Sequence, residues 1–200
     1  MKLIFISGPS GSGKTTLSHQ IKLKIKNSFV LSTDNYYKTG IISKLLSKFL
    51  KGYFDRSISF NYKLFNKDFK YIMNNGSSMN ARSYNFEKKK INNLSNETNN
   101  INNLIIEGIF SKEFSSKLCN QNYYFLELKI NKNECMNRVV KRDIKERGKP
   151  KTKAVDDFLK SWNIYYKKSK NKNTKNNENE FNITKNTNVD KILKNYLNEF

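Results

Sequence analysis

Eight consecutive residues, Gly8-Pro9-Ser10-Gly11-Ser12-Gly13-Lys14-Thr15, match the G-x-x-x-x-G-K-[ST] spacing of a phosphate-binding loop. Glycines at these places let backbone N–H groups close around phosphate oxygens, and a helix beginning behind them adds partial positive charge. In such a loop the lysine, here Lys14, reaches the outer phosphates, and the hydroxyl of the last residue, Thr15, binds Mg²⁺. Gly8, Ser10, Gly11, Ser12, Gly13, Lys14, Thr15 and Thr16 are therefore the expected cradle for a nucleoside triphosphate. Two carboxylates could share that site. Asp34 follows the apolar run Phe29-Val30-Leu31, and Glu107 follows Leu104-Ile105-Ile106. If both runs are parallel strands, both acids emerge at the carboxyl edge beside the loop.

Arginine is scarce in this chain. It occurs at positions 56, 82, 138, 142 and 147 only, against 38 Lys+Arg in all, and three of the five fall within ten residues. A planar guanidinium grips an oxyanion through two bonds at once, which an ammonium does not. The cluster therefore points to phosphate recognition.

The elements that must carry these residues follow from periodicity. Residues 2–7 read as a strand before the loop, and Leu17, Ile21 and Ile25 recur as one face of a helix after it. Further strands are expected at 29–33, 103–110 and 123–130, with an edge strand at 181–184. Helices are expected at 41–50, 62–73, 132–147, 154–166 and 189–200. Phe65, Phe69 and Ile72 share a helix face and read as core. Residues 76–103 are Asn-rich and weakly periodic, with a small hairpin at 81–86. Strands alternating with helices imply an α/β fold with a parallel sheet. At 200 residues the chain is one domain's worth, read as a single unit over 1–200 with flexible loops at 91–103 and 167–179.

The net charge is +21. The lysines are spread along the chain beside abundant asparagine, so the charge reads as diffuse and solvated; nucleic acid is not the expected partner. The apolar start is too short for a secretory or membrane segment, and Cys119 and Cys135 form no C-x-x-C pair. A cytoplasmic location with two reduced cysteines is the plain expectation. The sequence does not specify an oligomeric state, and a homo-oligomer is compatible with it.

The reaction class follows from what accompanies the loop. Asn131-Lys132-Asn133-Glu134 resembles a guanine-reading N-K-x-D, but it ends in Glu, and no Asp has Gly three residues later. A GTPase reading is therefore rejected. Read together, five segments resemble the uridine kinase family, relatives of phosphoribulokinase. They are residues 8–16, Ser32-Thr33-Asp34-Asn35-Tyr36-Tyr37-Lys38, Tyr53-Phe54-Asp55, Leu104-Ile105-Ile106-Glu107-Gly108-Ile109 and Arg142-Asp143-Ile144-Lys145-Glu146-Arg147-Gly148-Lys149. The resemblance covers residues 1–150.

It implies a P-loop kinase-like three-layer fold with a central parallel sheet of about five strands. It also implies ATP and Mg²⁺ as cofactors and transfer of the γ-phosphoryl to the 5′-hydroxyl of uridine or cytidine, a small-molecule acceptor. By position, Asp34 would be the base, with Thr15 and Glu107 on Mg²⁺. Tyr37, Phe54, Asp55 and Tyr84 would line the nucleoside pocket. Arg142, Arg147 and Lys149 would close over the phosphates. The chain departs from the family pattern at Lys89, where a histidine is usual, at Ser83, where proline is, and at Arg56, where histidine is common. It also lacks the family's A-D-[IV]-I-[IV]-P strand, with Phe181-Asn182-Ile183-Thr184 as a degenerate counterpart. These departures leave open a kinase of the same architecture acting on a sugar phosphate, glycerate or another nucleoside. A nucleic-acid-associated P-loop ATPase, and a relative that binds ATP without turnover, are the remaining readings.

Overall fold

A computed structural model describes residues 1–50, 52–78, 81–85, 88–94, 98–116, 123–170, 180–185 and 187–198. Phe86, Cys119, residues 95–97, most of the Lys/Asn run at 171–179 and the last two residues lie outside it. In chain order the elements begin β1 (Lys2–Ser7), α1 (Lys14–Lys24), β2 (Ser28–Ser32), α2 (Ile41–Phe49), α3 (Tyr62–Asn75), β3 (Ala81–Asn85) and β4 (Lys90–Leu94). They continue β5 (Asn103–Glu107), α4 (Ser111–Ser115), β6 (Tyr124–Leu128), α5 (Lys132–Arg147), α6 (Lys151–Lys170), β7 (Glu180–Ile183) and α7 (Val189–Asn198).

Five strands form one parallel sheet in the order β2-β5-β1-β6-β7, with β1, which feeds the phosphate loop, at its centre. The strands are apolar on both sides because helices cover both faces. Alternate residues of β1 serve different cores. Leu3 and Phe5 join Phe29, Leu31, Leu104, Ile106 and α3's Phe65, Phe69 and Ile72. Ile4 and Ile6 join Leu17, Ile21, Ile105, Leu126 and α7's Ile192, Leu193 and Tyr196. Phe5 and Phe65 are fully buried, each worth about 1.5–3 kcal/mol. The fold is thus the expected three-layer α/β architecture.

Differences from expectation are local. The segment read as an Asn-rich loop from 91 begins as a strand, since β4 pairs antiparallel with β3, Tyr84 opposite Ile91. The short helix α4 was not anticipated from five residues of weak periodicity. The degenerate last strand does pair, Leu126 with Phe181, as the parallel edge strand. Helix α6 begins at Lys151, earlier than expected, and runs past 166 to Lys170. The apolar stripe of α2 faces outward, with Ile41, Ile42, Leu45 and Phe49 all exposed.

Candidate active site

The register of the sheet assembles the site. Ile6 pairs with Glu107 and Ser32 pairs with Glu107, so the ends of β1, β2 and β5 lie side by side. The phosphate loop leaves β1 there and returns into α1. Gly11 has φ +78, and a Cβ on it would lie 2.5 Å from the Cys135 carbonyl oxygen on α5. Only glycine fits, and the backbone is kept bare for a phosphate group to approach. Lys14 is buried and its Nζ donates to the Pro9 carbonyl at 3.0 Å, so it already lies across the loop. Arg138, the first of the clustered arginines, braces the same loop, its Nη1 donating to the Gly11 carbonyl at 3.2 Å. Ser12 Oγ is buried with no hydrogen-bond partner among the described residues, a donor lying within the cradle. Bare backbone, a buried ammonium and an orphaned hydroxyl suit a triphosphate. Ser10 lines the adjoining cavity, and Thr16 is exposed on the first turn of α1.

The two acids come together. Glu107, 2 % exposed, accepts from Ser32 Oγ at 2.5 Å, and Thr15 Oγ1 donates toward its other oxygen at 3.5 Å. Asp34 sits on the 3-10 turn Thr33–Asn35 directly after β2. Its Oδ1 is buried with no hydrogen-bond partner among the described residues. Burial raises the Asp34 carboxyl above its ordinary value, opposed by the charges of Lys14, Arg142 and Arg147. Burial, and the Asp34 charge after it, raise Glu107 as well. Two buried carboxylates held close together next to a threonine hydroxyl are a donor set that suits Mg²⁺, which takes one or two carboxylates and completes its shell with phosphate and water.

One glycine makes this meeting possible. Gly108 has φ +131, and a Cβ there would lie 1.9 Å from Thr33 Oγ1 and 3.2 Å from Asp34 Oδ1. It follows Glu107 in sequence, yet its importance is a contact between two strand ends that no local pattern announces.

Beyond Asp34 opens a cavity of about 910 Å³. Its aromatic wall is Tyr37, Tyr53 and Phe54, with Tyr37 centred 5.1 Å from Phe54; Tyr84 packs edge-on against Tyr37 at 5.2 Å, behind the lining. Burial, with Asp34 and Asp55 nearby, holds the Tyr37 hydroxyl well above its ordinary value of 10, so it remains protonated. The hairpin that carries Tyr84 is pinned from below. Arg82 forks onto Asp68 through Nε at 2.5 Å and Nη2 at 3.1 Å, and Tyr36 OH donates to the same carboxylate at 2.9 Å. The Tyr84 amide donates to Asn35 Oδ1 at 3.2 Å, tying the hairpin to the turn that bears Asp34. Asp68 was not singled out in the sequence, which shows only an acid within a helix. Lys89, in place of the usual histidine, donates from Nζ to Ser47 Oγ at 2.5 Å on α2, where Ser47 lines the cavity.

Helix α6 closes the other side. Ser161 Oγ donates to Asp55 Oδ2 at 2.5 Å, Ile164 packs against Gly52, and Tyr165 OH donates to Glu127 Oε1 at 3.2 Å. The Tyr165 hydroxyl is also 3.2 Å from Ser7 Oγ, the residue before the phosphate loop. Arg142, Arg147 and Lys149 gather at the mouth, all three on one carboxylate, Asp143. The residues proposed from the sequence lie on the loop and the turn after it, at the strand ends or around this one cavity, except Tyr84, which does not line the cavity and packs against Tyr37 and Phe54. Asp143, Asp68, Gly108 and Ser161 complete the set.

The fold is similar to those of several solved kinases. A D-glycerate 3-kinase from Cryptococcus neoformans superposes with TM-score 0.63 at 12 % identity over 92 % of this chain and 86 % of that one. A structure described as a "Possible Uridine Kinase" from Bacillus stearothermophilus superposes with TM-score 0.57 at 12 % identity, over 84 % and 83 %. The model of the Phosphoribulokinase / Uridine kinase family matches residues 3–174. A uridine kinase of Borrelia duttonii is 30 % identical over 168 residues, spanning 83 % of this chain and 79 % of that protein. The chain belongs to the phosphoribulokinase/uridine kinase family.

Proposed function

We propose that this chain is an ATP-dependent kinase that phosphorylates the 5′-hydroxyl of a pyrimidine nucleoside, uridine or cytidine, as in pyrimidine salvage in the cytoplasm. The observation that carries the reading is the convergence of Lys14, Thr15, Asp34 and Glu107 at one sheet edge that opens onto an aromatic cavity. The relatives named uridine kinase support the acceptor.

In this reading the loop backbone and Lys14 hold the ATP phosphates, while Tyr37, Phe54, Asp55 and Tyr84 orient the nucleoside. Thr15 and Glu107 would hold Mg²⁺, which supplies charge neutralisation on the phosphates. Asp34 accepts the proton of the acceptor hydroxyl as its oxygen bonds to the γ-phosphorus and the bond to the β-phosphate oxygen breaks, releasing ADP. A carboxyl raised by burial is a better base near neutrality than a solvated one. Arg142 and Arg147 stabilise the charge on the transferring group and exclude water that would hydrolyse ATP. The single domain over residues 1–200 is part of the same proposal.

The test is an ADP-coupled assay with uridine, cytidine and a panel of other hydroxyl acceptors. Release of ADP that depends on uridine or cytidine, with the 5′-monophosphate as product, is the expected result. A specific observation favours a second reading, a kinase of another small hydroxyl compound: Lys89, a donor only, stands at the pocket rim on Ser47. The same panel separates the two by product. ATP hydrolysis that needs nucleic acid and no acceptor would overturn both.

A further inference from the structure

Three cations of the mouth converge on a single buried side chain. Asp143, 3 % exposed, lies in the last turns of α5. Its Oδ1 accepts from Arg142 Nε at 3.2 Å and Nη2 at 3.0 Å, and lies 3.2 Å from Arg147 Nη1. Its Oδ2 accepts from Lys149 Nζ at 2.9 Å. The backbone repeats the pattern, because the Asp143 carbonyl accepts the amides of both Gly148 and Lys149, which folds the end of α5 back over the acid. Asp157 on α6 also receives Lys149 Nζ at 2.9 Å, fixing the far side of the cluster.

Charge makes this arrangement necessary. Two guanidiniums and an ammonium around one point repel one another. Burial lowers the Arg147 pKa and the Arg142 charge lowers it further, while Asp143 acts in the opposite sense. Arg142 spends Nε and Nη2 on Asp143, so the carboxylate fixes the plane of the fork and aims its remaining edge. The charges of Arg142 and Arg147 are both felt at Asp34, and these three residues line the same cavity as Asp143. Resting on the proposed kinase reading, we propose that Asp143 is the positioning residue of the phosphate clamp: it collects Arg142, Arg147 and Lys149 over the nucleotide and orients them before phosphoryl transfer.

A residue that acts only through two arginines loses its effect when they are gone, and a double-mutant cycle measures this. Asp143→Asn lowers kcat per folded molecule by about tenfold or more in the wild-type background. In the R142A/R147A background the same change lowers it by no more than about twofold. Asp143→Glu, which keeps the charge, restores part of the rate in the wild-type background. Factors that multiply independently in the two backgrounds, or a wild-type rate for D143N, would overturn the proposal. The same cycle is read in the Kd for ATP, which needs no acceptor. If no acceptor on the panel is phosphorylated, the kinase reading fails by itself, and the coupling in ATP affinity still decides the role of Asp143.

Discussion

Adding one methyl group at Gly108 tests the geometry of the strand ends directly. The Cβ of an alanine there would begin 1.9 Å from Thr33 Oγ1, where ordinary contact starts at 3.4 Å, so the two must separate by roughly 1.5 Å. Thr33 is fully buried and cannot swing into solvent, so the 3-10 turn moves and Asp34, next in sequence, moves with it. The backbone at φ +131 adds strain of about 1–3 kcal/mol and the overpacking about 1–3 more. That is a serious loss against a total stability of about 5–15 kcal/mol, but not one that must unfold the chain. A misplacement of about 1 Å near the reacting atoms costs on the order of 10²-fold in rate. We therefore expect G108A to lower Tm, to lower kcat about 10²-fold, and to leave ATP affinity within about threefold of wild type, since the loop itself is untouched. Stopped-flow or coupled turnover, nucleotide titration and thermal melting on one preparation read all three. A folded G108A enzyme with near-normal kcat would refute the contact, and equal losses of ATP binding and turnover would refute its local nature.

The remaining expectations are brief. Asp34→Ala lowers kcat by about 10²–10⁴ if it is the base, and near-wild-type turnover would remove it from the mechanism. Arg82→Ala loosens the hairpin that holds Tyr84 against Tyr37, so KM for the acceptor rises severalfold while KM for ATP is unchanged; a parallel rise in both would deny the hairpin its separate role. Glu127→Gln destabilises the folded chain by about 2 kcal/mol at neutral pH. Burial opposes ionisation of Glu127, but hydrogen bonds and charges from Lys129 and Lys112 win and hold it below its ordinary 4.5. A depressed carboxylate stabilises the fold above the unfolded value and loses that stabilisation as pH falls through the folded one. Denaturant melts of the two proteins should thus differ above pH 4.5 and converge below it, and a gap that persists into acid would contradict the assignment.

Much of this site can be read from residue order because its main parts are local. The phosphate loop is eight adjacent residues, and β1 and α5 are bounded where a short continuous apolar run and the Asn131 and Gly148 caps place them. Asp34 and Glu107 were recognisable because each follows an apolar run, and parallel strands deliver both to the same edge. What escaped sequence reading depends on distance along the chain or on competition between partners. Asp68 is an unremarked acid of α3 until Arg82 folds back fourteen residues later. Asp143 stood in the quoted Arg142–Lys149 segment without a role, because its convergence with Arg147 and Lys149 needs the turn at Gly148. The β3–β4 pairing was blurred by asparagine, whose weak strand propensity hides alternation. Helix α2 misleads in the other direction, because its clean apolar stripe meets solvent and not a core.

Helix α6 touches both the cavity wall and the strand that feeds the phosphate loop. One end of its contact row grips Asp55 on the cavity wall, and one turn later Tyr165 rests on Ser7 at the root of the phosphate loop. A single helix anchored at both places ties the position of the one to that of the other.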